Sequence, residues 1–194
     1  MALSLGSRLT LVSGPAASGK SRWAEHLAQT SGKAVVVLAT GPDLPDDPSW
    51  QQRLQRHRER RPPSWRTLEV GGGLSAALDS LGRDDLALVD SLGTWVAAHL
   101  ETEAADWCLL VETCLQALRR CPAAVVMVSE ETGWGVVPVT AVGGRFRDRL
   151  GELQQQLTPL CGAAWLVVQG RAIDLAALGR PVPVQQELRG TEAR

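Results

Sequence analysis

The feature that most constrains the fold is the segment GPAASGKS at residues 14–21, which matches the phosphate-binding pattern GxxxxGK[ST] at every fixed position. It follows the apolar segment LTLVS and precedes a helical pattern in which Trp23 and Leu27 lie one turn apart. The motif requires this strand–loop–helix context, because backbone N–H groups of the loop and the start of the helix bind phosphate oxygens. We therefore predict a P-loop protein in which Lys20 contacts the outer phosphates of a nucleotide and Ser21 binds Mg²⁺.

Four further short apolar segments predict the rest of the sheet. They are AVVVLA at 34–39, LALVD at 86–90, AVVMVS at 124–129 and WLVVQ at 165–169. Strands that are apolar on both faces are typical of a parallel sheet covered by helices, and helical patterns fill the intervals between these segments. We therefore predict an α/β P-loop NTPase with a mostly parallel sheet flanked by helices. The segment SWRTLEV alternates instead, which predicts an extended segment outside the sheet centre.

Length and charge set the broad class of the protein. A chain of 194 residues suits a single nucleotide-binding domain over 1–194, with a loosely held, proline-containing tail from about 179 to 194. Its 20 basic and 21 acidic residues predict no general affinity for nucleic acid or anionic membranes. No segment reaches the roughly 18 apolar residues of a membrane span. The four cysteines have no metal-binding spacing, so we expect reduced thiols in a cytoplasmic protein.

Asp90 ends one of the predicted strands, where P-loop enzymes need a carboxylate for their metal ion. A carboxylate at this position can hold Mg²⁺ directly or through water. The alternative is an ordinary strand-end aspartate that caps the next helix. Both interpretations place Asp90 at the carboxyl edge of the sheet.

His57 lies in the most cationic part of the chain, in a predicted helix with Pro48 near its start and Pro62 and Pro63 after its end. Six arginines and one glutamate lie between residues 53 and 66. On helical spacing, four residues share one face: Trp50, Leu54, His57 and Arg61. A neutral imidazole is a good nucleophile toward phosphorus, and nearby arginines neutralise the anion that it attacks. The alternatives are a structural histidine or a solvated charged helix.

Two strings together carry a resemblance to a known family: HRERRPPSWRTLE at 57–69 and GWGVVP at 133–138. With the phosphate loop, they make the chain similar over residues 8 to about 170 to the bifunctional adenosylcobinamide kinases and adenosylcobinamide-phosphate guanylyltransferases of cobalamin biosynthesis. The resemblance implies a RecA-like P-loop domain, a homotrimer, a corrinoid substrate, and ATP and GTP as nucleotide substrates.

The resemblance also implies two reactions. In the first, a phosphoryl group passes from ATP or GTP to adenosylcobinamide, with Lys20 and Mg²⁺ as the main aids. In the second, His57 attacks the α-phosphorus of GTP, releases pyrophosphate and passes GMP to the corrinoid phosphate. The nucleotide contacts implied by the resemblance are Gly14, Pro15, Ala16, Ala17, Ser18, Gly19, Lys20, Ser21, Ala39, Thr40, Gly41, Arg58, Glu59, Arg60, Arg61, Glu69 and Asp90.

The chain departs from the family pattern at positions where asparagine is frequent, which here are occupied by Ala98, Glu130 and Gln154. Because of these departures, a second interpretation remains open, in which the protein is a P-loop small-molecule kinase that lacks guanylyl transfer. A GTP-binding regulatory protein is a further alternative, but neither Lys20 nor Lys33 lies in the [N/T]KxD string expected of one. In the glycine loop, Trp134 either covers a flat corrin face or packs in a plain turn.

Overall fold

The computed structural model describes residues 7–135 and 137–183. Its strands are β1 (Leu9–Gly14), β2 (Ala34–Ala39), β3 (Arg66–Glu69), β4 (Asp85–Asp90), β5 (Ala124–Glu130), β6 (Ala163–Val168) and β7 (Arg171–Asp174). Its helices are α1 (Lys20–Thr30), α2 (Pro48–Arg60), α3 (Leu74–Asp79), α4 (Leu92–Ala98), α5 (Ala104–Arg120), α6 (Ala141–Leu157) and α7 (Leu175–Leu178), with a 3-10 turn at Thr158–Leu160.

The seven strands form one sheet in the order β3-β2-β4-β5-β1-β6-β7. All neighbouring pairs are parallel except β6 and β7, which are antiparallel. One strand, β5, lies between the P-loop strand β1 and the strand β4 that ends in Asp90. This confirms the predicted α/β fold with a mostly parallel sheet.

Helices cover both faces of the sheet, as the apolar strands predicted. On one face, Leu38, Val89 and Met127 pack in a core that includes residues of α4, α5 and α6. On the other face, Val37, Leu88 and Val126 pack against the buried side of α1, which is formed by Ala24, Leu27 and Ala28. The central strands are therefore apolar on both sides, because each side faces a helix layer.

The edges of the sheet differ from its centre. The alternating segment SWRTLEV forms the edge strand β3, whose four residues are all exposed, as the predicted position outside the sheet centre requires.

The single-domain organisation and the loose tail stay predictions, because residues 184–194 lie outside the described residues. Within 7–135 and 137–183, no helix is both long and apolar enough to cross a membrane.

Strand register brings the functional candidates to one edge of the sheet. Ala39 pairs with Asp90 across β2 and β4, and Gly14 pairs with Glu130 across β1 and β5. Because the strands are parallel, their carboxyl ends meet at the same edge, where ligands of open α/β sheets bind. The P-loop, Asp90 and Glu130 therefore lie together at this edge.

The two-sided core predicts how a single truncation acts on stability. Leu88 is 1% exposed in the middle of β4, whereas Leu109 is 67% exposed on α5. We expect Leu88→Ala to lower the free energy of unfolding by about 2–5 kcal/mol, because it leaves a cavity between β4 and α1. The matched change Leu109→Ala is expected to cost about 0.5 kcal/mol or less. Urea titrations measure both, and equal losses would contradict the assigned core.

Candidate active site

The phosphate loop begins where β1 ends. A Cβ atom on Gly14 would collide with the carbonyl oxygen of Val167 and lie 2.8 Å from Ser18 Oγ, so glycine is required at this position. Gly19 adopts a φ of +99°, in the left-handed region that favours glycine. The N-cap residue of α1 is Gly19, which has no side chain to cap the helix, and the N–H of Lys20 donates to Ser18 Oγ within the loop at 3.3 Å. This arrangement is the one that binds phosphate in P-loop proteins.

Lys20 is the charged group at the base of this loop. It is only 7% exposed, and its Nζ donates a hydrogen bond to the carbonyl oxygen of Pro15 at 3.3 Å. Burial lowers the pKa of Lys20; the carboxylate of Glu130 opposes this shift, and the guanidinium of Arg53 adds to it. Because the carbonyl oxygen of Pro15 is the one hydrogen-bond partner of Lys20 Nζ within the described residues, the desolvated ammonium gains strongly from an incoming phosphate anion.

His57 contacts the strand-end carboxylate directly. Its Nδ1 lies 3.1 Å from Oδ2 of Asp90, and Nη2 of Arg61 donates to the same oxygen. Burial disfavours the charged form of Asp90, but the hydrogen bond with His57 and the positive charge of Arg61 outweigh it. The pKa of the Asp90 carboxyl therefore lies below its usual value. Asp90 is ionised at neutral pH.

Helix α2 is held to the domain by charged groups. It has no buried residue, but Glu25 on α1 accepts from Arg60 at 3.1 Å and lies 3.8 Å from Nε of Arg61. The face predicted to point inward does so, although it lines a cavity instead of packing in the core. These contacts fix the helix while leaving His57 beside open space.

Two cavities of about 400 Å³ each meet at His57. The first, which we call the α2 cavity, is lined by Ala39, Gly41, Pro42, Asp43, Trp50, Arg53, Leu54, His57, Arg58, Arg61, Thr67, Glu69, Gly71, Asp90, Ser91 and Thr94. The second, the P-loop cavity, is lined by Ala16, Ala17, Ser18, Gly19, Lys20, Ser21, Arg22, Arg53, His57, Arg60, Glu130, Glu131 and Thr132. His57 and Arg53 line both cavities, so His57 can face a ligand that extends from one to the other.

Most of the predicted nucleotide contacts line one of these cavities, but Gly14, Pro15, Thr40 and Glu59 do not. Thr40 is buried and donates to the carbonyl oxygen of Ser91, while Glu59 is exposed and accepts from Gln55. Gly14 and Pro15 form the start of the loop behind the P-loop cavity. Glu69 lies in an exposed ion pair with Arg58 at 3.6 Å.

Sequence reasoning did not assign Glu130, which lies at the end of β5 and lines the P-loop cavity. Its carboxylate accepts from Ser91 Oγ at 2.7 Å and from the N–H of Gly93 at 3.0 Å. Gln154 donates to the carbonyl oxygen of Glu130 at 3.0 Å, so two of the departures from the family pattern contact each other. The sequence signal that could have identified Glu130 as a site residue is its position directly after an apolar strand.

The other two positions of interest lie at the surface. Ala98 is exposed at the end of α4 and lines neither cavity. Trp134 is 59% exposed, so the structure does not pack it in a turn. Its contact with a corrin ring stays a prediction, as do the site roles assigned from the sequence.

The sheet order and the phosphate loop define a P-loop nucleotide-binding protein. Residues 10–175 match the family model described as cobinamide kinase / cobinamide phosphate guanyltransferase. The chain belongs to this family. A solved protein from Pyrococcus horikoshii OT3 has a similar fold, with a TM-score of 0.50 and 8% identity, over 90% of this chain and 88% of that one.

Curated relatives support the same assignment. The chain is 33% identical over 182 residues to the bifunctional adenosylcobalamin biosynthesis protein CobU of Salmonella typhimurium, covering 86% of this chain and 99% of that protein. It is 38% identical over 171 residues to the bifunctional adenosylcobalamin biosynthesis protein CobP of Pseudomonas aeruginosa, covering 85% and 95%. The resemblance inferred from the sequence is confirmed.

From the lining of the P-loop cavity we predict that Lys20, one of the two lysines of the chain, binds phosphate. We expect Lys20→Ala to weaken binding of Mg²⁺–GTP by about 10–100-fold, because a desolvated charge–phosphate contact of about 1.5–3 kcal/mol is lost. Lys33→Ala is the matched control, since its Nζ contacts only the carbonyl oxygen of Arg83 among the described residues and it lines neither cavity. Isothermal titration measures both; unchanged affinity in Lys20→Ala would contradict the phosphate site.

Proposed function

We propose that this protein phosphorylates adenosylcobinamide with ATP or GTP and then transfers GMP from GTP to the product through a guanylylated His57, giving adenosylcobinamide-GDP. The observation that carries this proposal is the position of His57 between the two cavities. A GTP molecule with its outer phosphates beside Lys20 and its nucleoside in the α2 cavity would present its α-phosphorus to His57.

The kinase step uses the phosphate loop. Lys20 and the N–H groups at the start of α1 hold the outer phosphates, so that the transferred phosphoryl group faces the acceptor hydroxyl. Stabilising the charge on the transferred group is most of what a protein contributes to this reaction. Glu131 and Thr132 line the same cavity, and we propose that the acceptor enters from their side.

We propose Mg²⁺ as the metal ion of both steps. Within the described residues, no group of three or more His, Cys, Asp or Glu side chains is arranged around a metal position. Mg²⁺ fits nonetheless, because it usually takes one or two protein oxygens and completes its shell with phosphates and water. The hydroxyl of Ser21 and the carboxylate of Asp90 would supply oxygens of this type. When bound, the ion neutralises phosphate charge.

The guanylyl step divides one difficult transfer into two displacements at the α-phosphorus. His57 first replaces pyrophosphate, and the corrinoid phosphate then replaces His57. Arg53 lines both cavities and Arg60 lines the P-loop cavity. In the proposed step, their guanidinium groups would therefore lie near the phosphates of GTP and of the corrinoid. Their positive charge offsets the repulsion between two phosphate anions during the second displacement.

The α2 cavity suits a guanine nucleoside. Trp50 offers a flat aromatic surface on its wall, held by a hydrogen bond from its Nε1 to the carbonyl oxygen of Pro42 at 2.9 Å. Glu69 lines the same cavity, and a carboxylate accepts hydrogen bonds from the N–H groups that guanine presents. We propose that these two residues bind the base.

By resemblance we also propose that the protein is a cytoplasmic homotrimer whose ligands are adenosylcobinamide, GTP and ATP. Sedimentation equilibrium of the purified protein tests the trimer: a single species of three times the 20.8 kDa chain mass is expected. A monomer at micromolar concentration would contradict it.

His57→Ala separates the bifunctional enzyme from a kinase that lacks guanylyl transfer. With GTP radiolabelled at the α-phosphate, we expect acid-labile label on the native chain and none on His57→Ala. Phosphorylation of adenosylcobinamide by the variant should remain measurable, because the phosphate loop is intact. His26→Ala is the matched control, since His26 is exposed on α1 and lines neither cavity.

Three outcomes of this experiment are informative. Equal loss of both activities in His57→Ala would mean that His57 shapes the nucleotide site. Absence of label on the native chain, with kinase activity present, would leave the kinase alone. Nucleotide binding without either activity would favour a GTP-binding regulatory protein.

A further inference from the structure

We propose that Asp90 positions His57 for guanylyl transfer by accepting its Nδ1 proton, so that Nε2 is the nitrogen that bonds to GMP. This inference rests on the proposed function and goes beyond it, because it names the reacting atom and assigns Asp90 a role besides metal binding. Asp90 is a positioning residue in this account, since it acts on the nucleotide through His57.

The contact between the two side chains is direct and sheltered. Nδ1 of His57 lies 3.1 Å from Oδ2 of Asp90, and the two side chains are only 15% and 18% exposed. Arg61, 9% exposed, donates to the same carboxylate oxygen. A guanidinium that donates directly to the carboxylate keeps Asp90 ionised. An ionised carboxylate can only accept hydrogen bonds.

The tautomer of His57 follows from this pairing. Because Asp90 only accepts, the hydrogen bond requires a proton on Nδ1, and a neutral imidazole then carries its lone pair on Nε2. A competing contact is weaker: Nη2 of Arg60 lies 3.5 Å from Nδ1, at the limit for a hydrogen bond, and its side chain is 39% exposed. The shorter and more buried contact with Asp90 decides the tautomer.

The ring orientation has the same cause. Nδ1 is directed at Asp90, which lines the α2 cavity, while His57 itself lines both cavities. Nε2 is on the other side of the imidazole ring from the bond to Asp90. Nε2 has no hydrogen-bond partner in the part of the chain that the structure describes, so the nitrogen with the lone pair is the one that can meet a phosphorus atom.

The chemical step balances with these groups alone. The Nε2 lone pair forms a bond to the α-phosphorus of GTP, and the bond from that phosphorus to the bridging oxygen breaks, so that pyrophosphate leaves with the electron pair. The ring becomes a positively charged N-phosphoryl imidazole that retains its Nδ1 proton, and the Asp90 carboxylate offsets this charge. When a corrinoid phosphate oxygen attacks the same phosphorus, the electron pair returns to Nε2 and the neutral ring is restored.

The first test identifies the linked nitrogen in the native full-length protein. The chain is prepared with ¹⁵N-histidine, incubated with Mg²⁺ and GTP, and examined at alkaline pH by long-range ¹H–¹⁵N correlation with ³¹P coupling. Phosphorus coupling to Nε2 of His57 is expected. Coupling to Nδ1 would overturn the inference while leaving the guanylylated histidine intact, whereas absence of GMP on His57 would overturn the proposed function itself.

The second test uses Asp90→Asn. In this variant the amide oxygen takes the place of Oδ2, which both Arg61 and Nδ1 of His57 contact. An uncharged amide oxygen is a weaker acceptor than a carboxylate, so it holds the Nδ1 proton less firmly and does not offset the charge of the N-phosphoryl imidazole. We expect the single-turnover rate of guanylylation at saturating GTP and Mg²⁺ to fall by about 100-fold or more. We also expect part of the GMP to appear on Nδ1.

Asp85→Asn is the matched control, because Asp85 begins the same strand, pairs with Arg66 at 3.2 Å and lines neither cavity. Circular dichroism and GTP affinity of Asp90→Asn verify that it folds; if it does not, the native linkage measurement still decides the inference. If Asp90 acted only through Mg²⁺, the variant would need more Mg²⁺ but recover its rate and its Nε2 linkage at saturating Mg²⁺. That result would overturn the inference.

Discussion

The carboxylate of Asp90 connects helix α2 to the carboxyl edge of the sheet. This helix has no buried residue, so its position depends on hydrogen bonds and ion pairs from His57, Arg60 and Arg61 to carboxylates on the domain. Partly buried, hydrogen-bonded charge pairs are directional and costly to leave half made. The contact that holds the helix therefore also fixes the side chain on which the proposed guanylyl transfer depends.

Strand order explains how one domain offers two connected cavities. Parallel strands bring the ends of β1, β2, β4 and β5 to one edge, where the phosphate loop follows β1 and helix α2 follows β2. The ends of β4 and β5 supply Asp90 and Glu130 between them. Nucleotide phosphates and nucleoside can then occupy adjacent spaces with His57 at their border, which suits chemistry at both the outer and the inner phosphorus atoms.

Local patterns in the sequence were sufficient for the phosphate loop, the buried strands and the shared face of α2. Each of these depends on residues close together in the chain, so spacing and hydrophobicity reveal them. The pairing of His57 with Asp90 and the contacts of Glu130 with Ser91 join residues more than thirty positions apart. They depend on the sheet order and on which loop covers which strand end, and no local pattern encodes these. A local pattern can also include a residue that lies outside the site. Thr40 belongs to a predicted binding string, but it is buried behind the site.

In the proposed reaction, GTP places its outer phosphates in the P-loop cavity while its α-phosphorus meets His57. The most direct measurement is the initial rate of guanylylation at varied GTP in the presence of β,γ-imido-ATP, whose binding to the protein is first verified by titration. Competitive inhibition is expected, in which saturating GTP restores the full rate, because both nucleotides need the phosphate loop and Lys20. Inhibition that persists at saturating GTP, or binding of the analogue without inhibition, would contradict this placement of GTP.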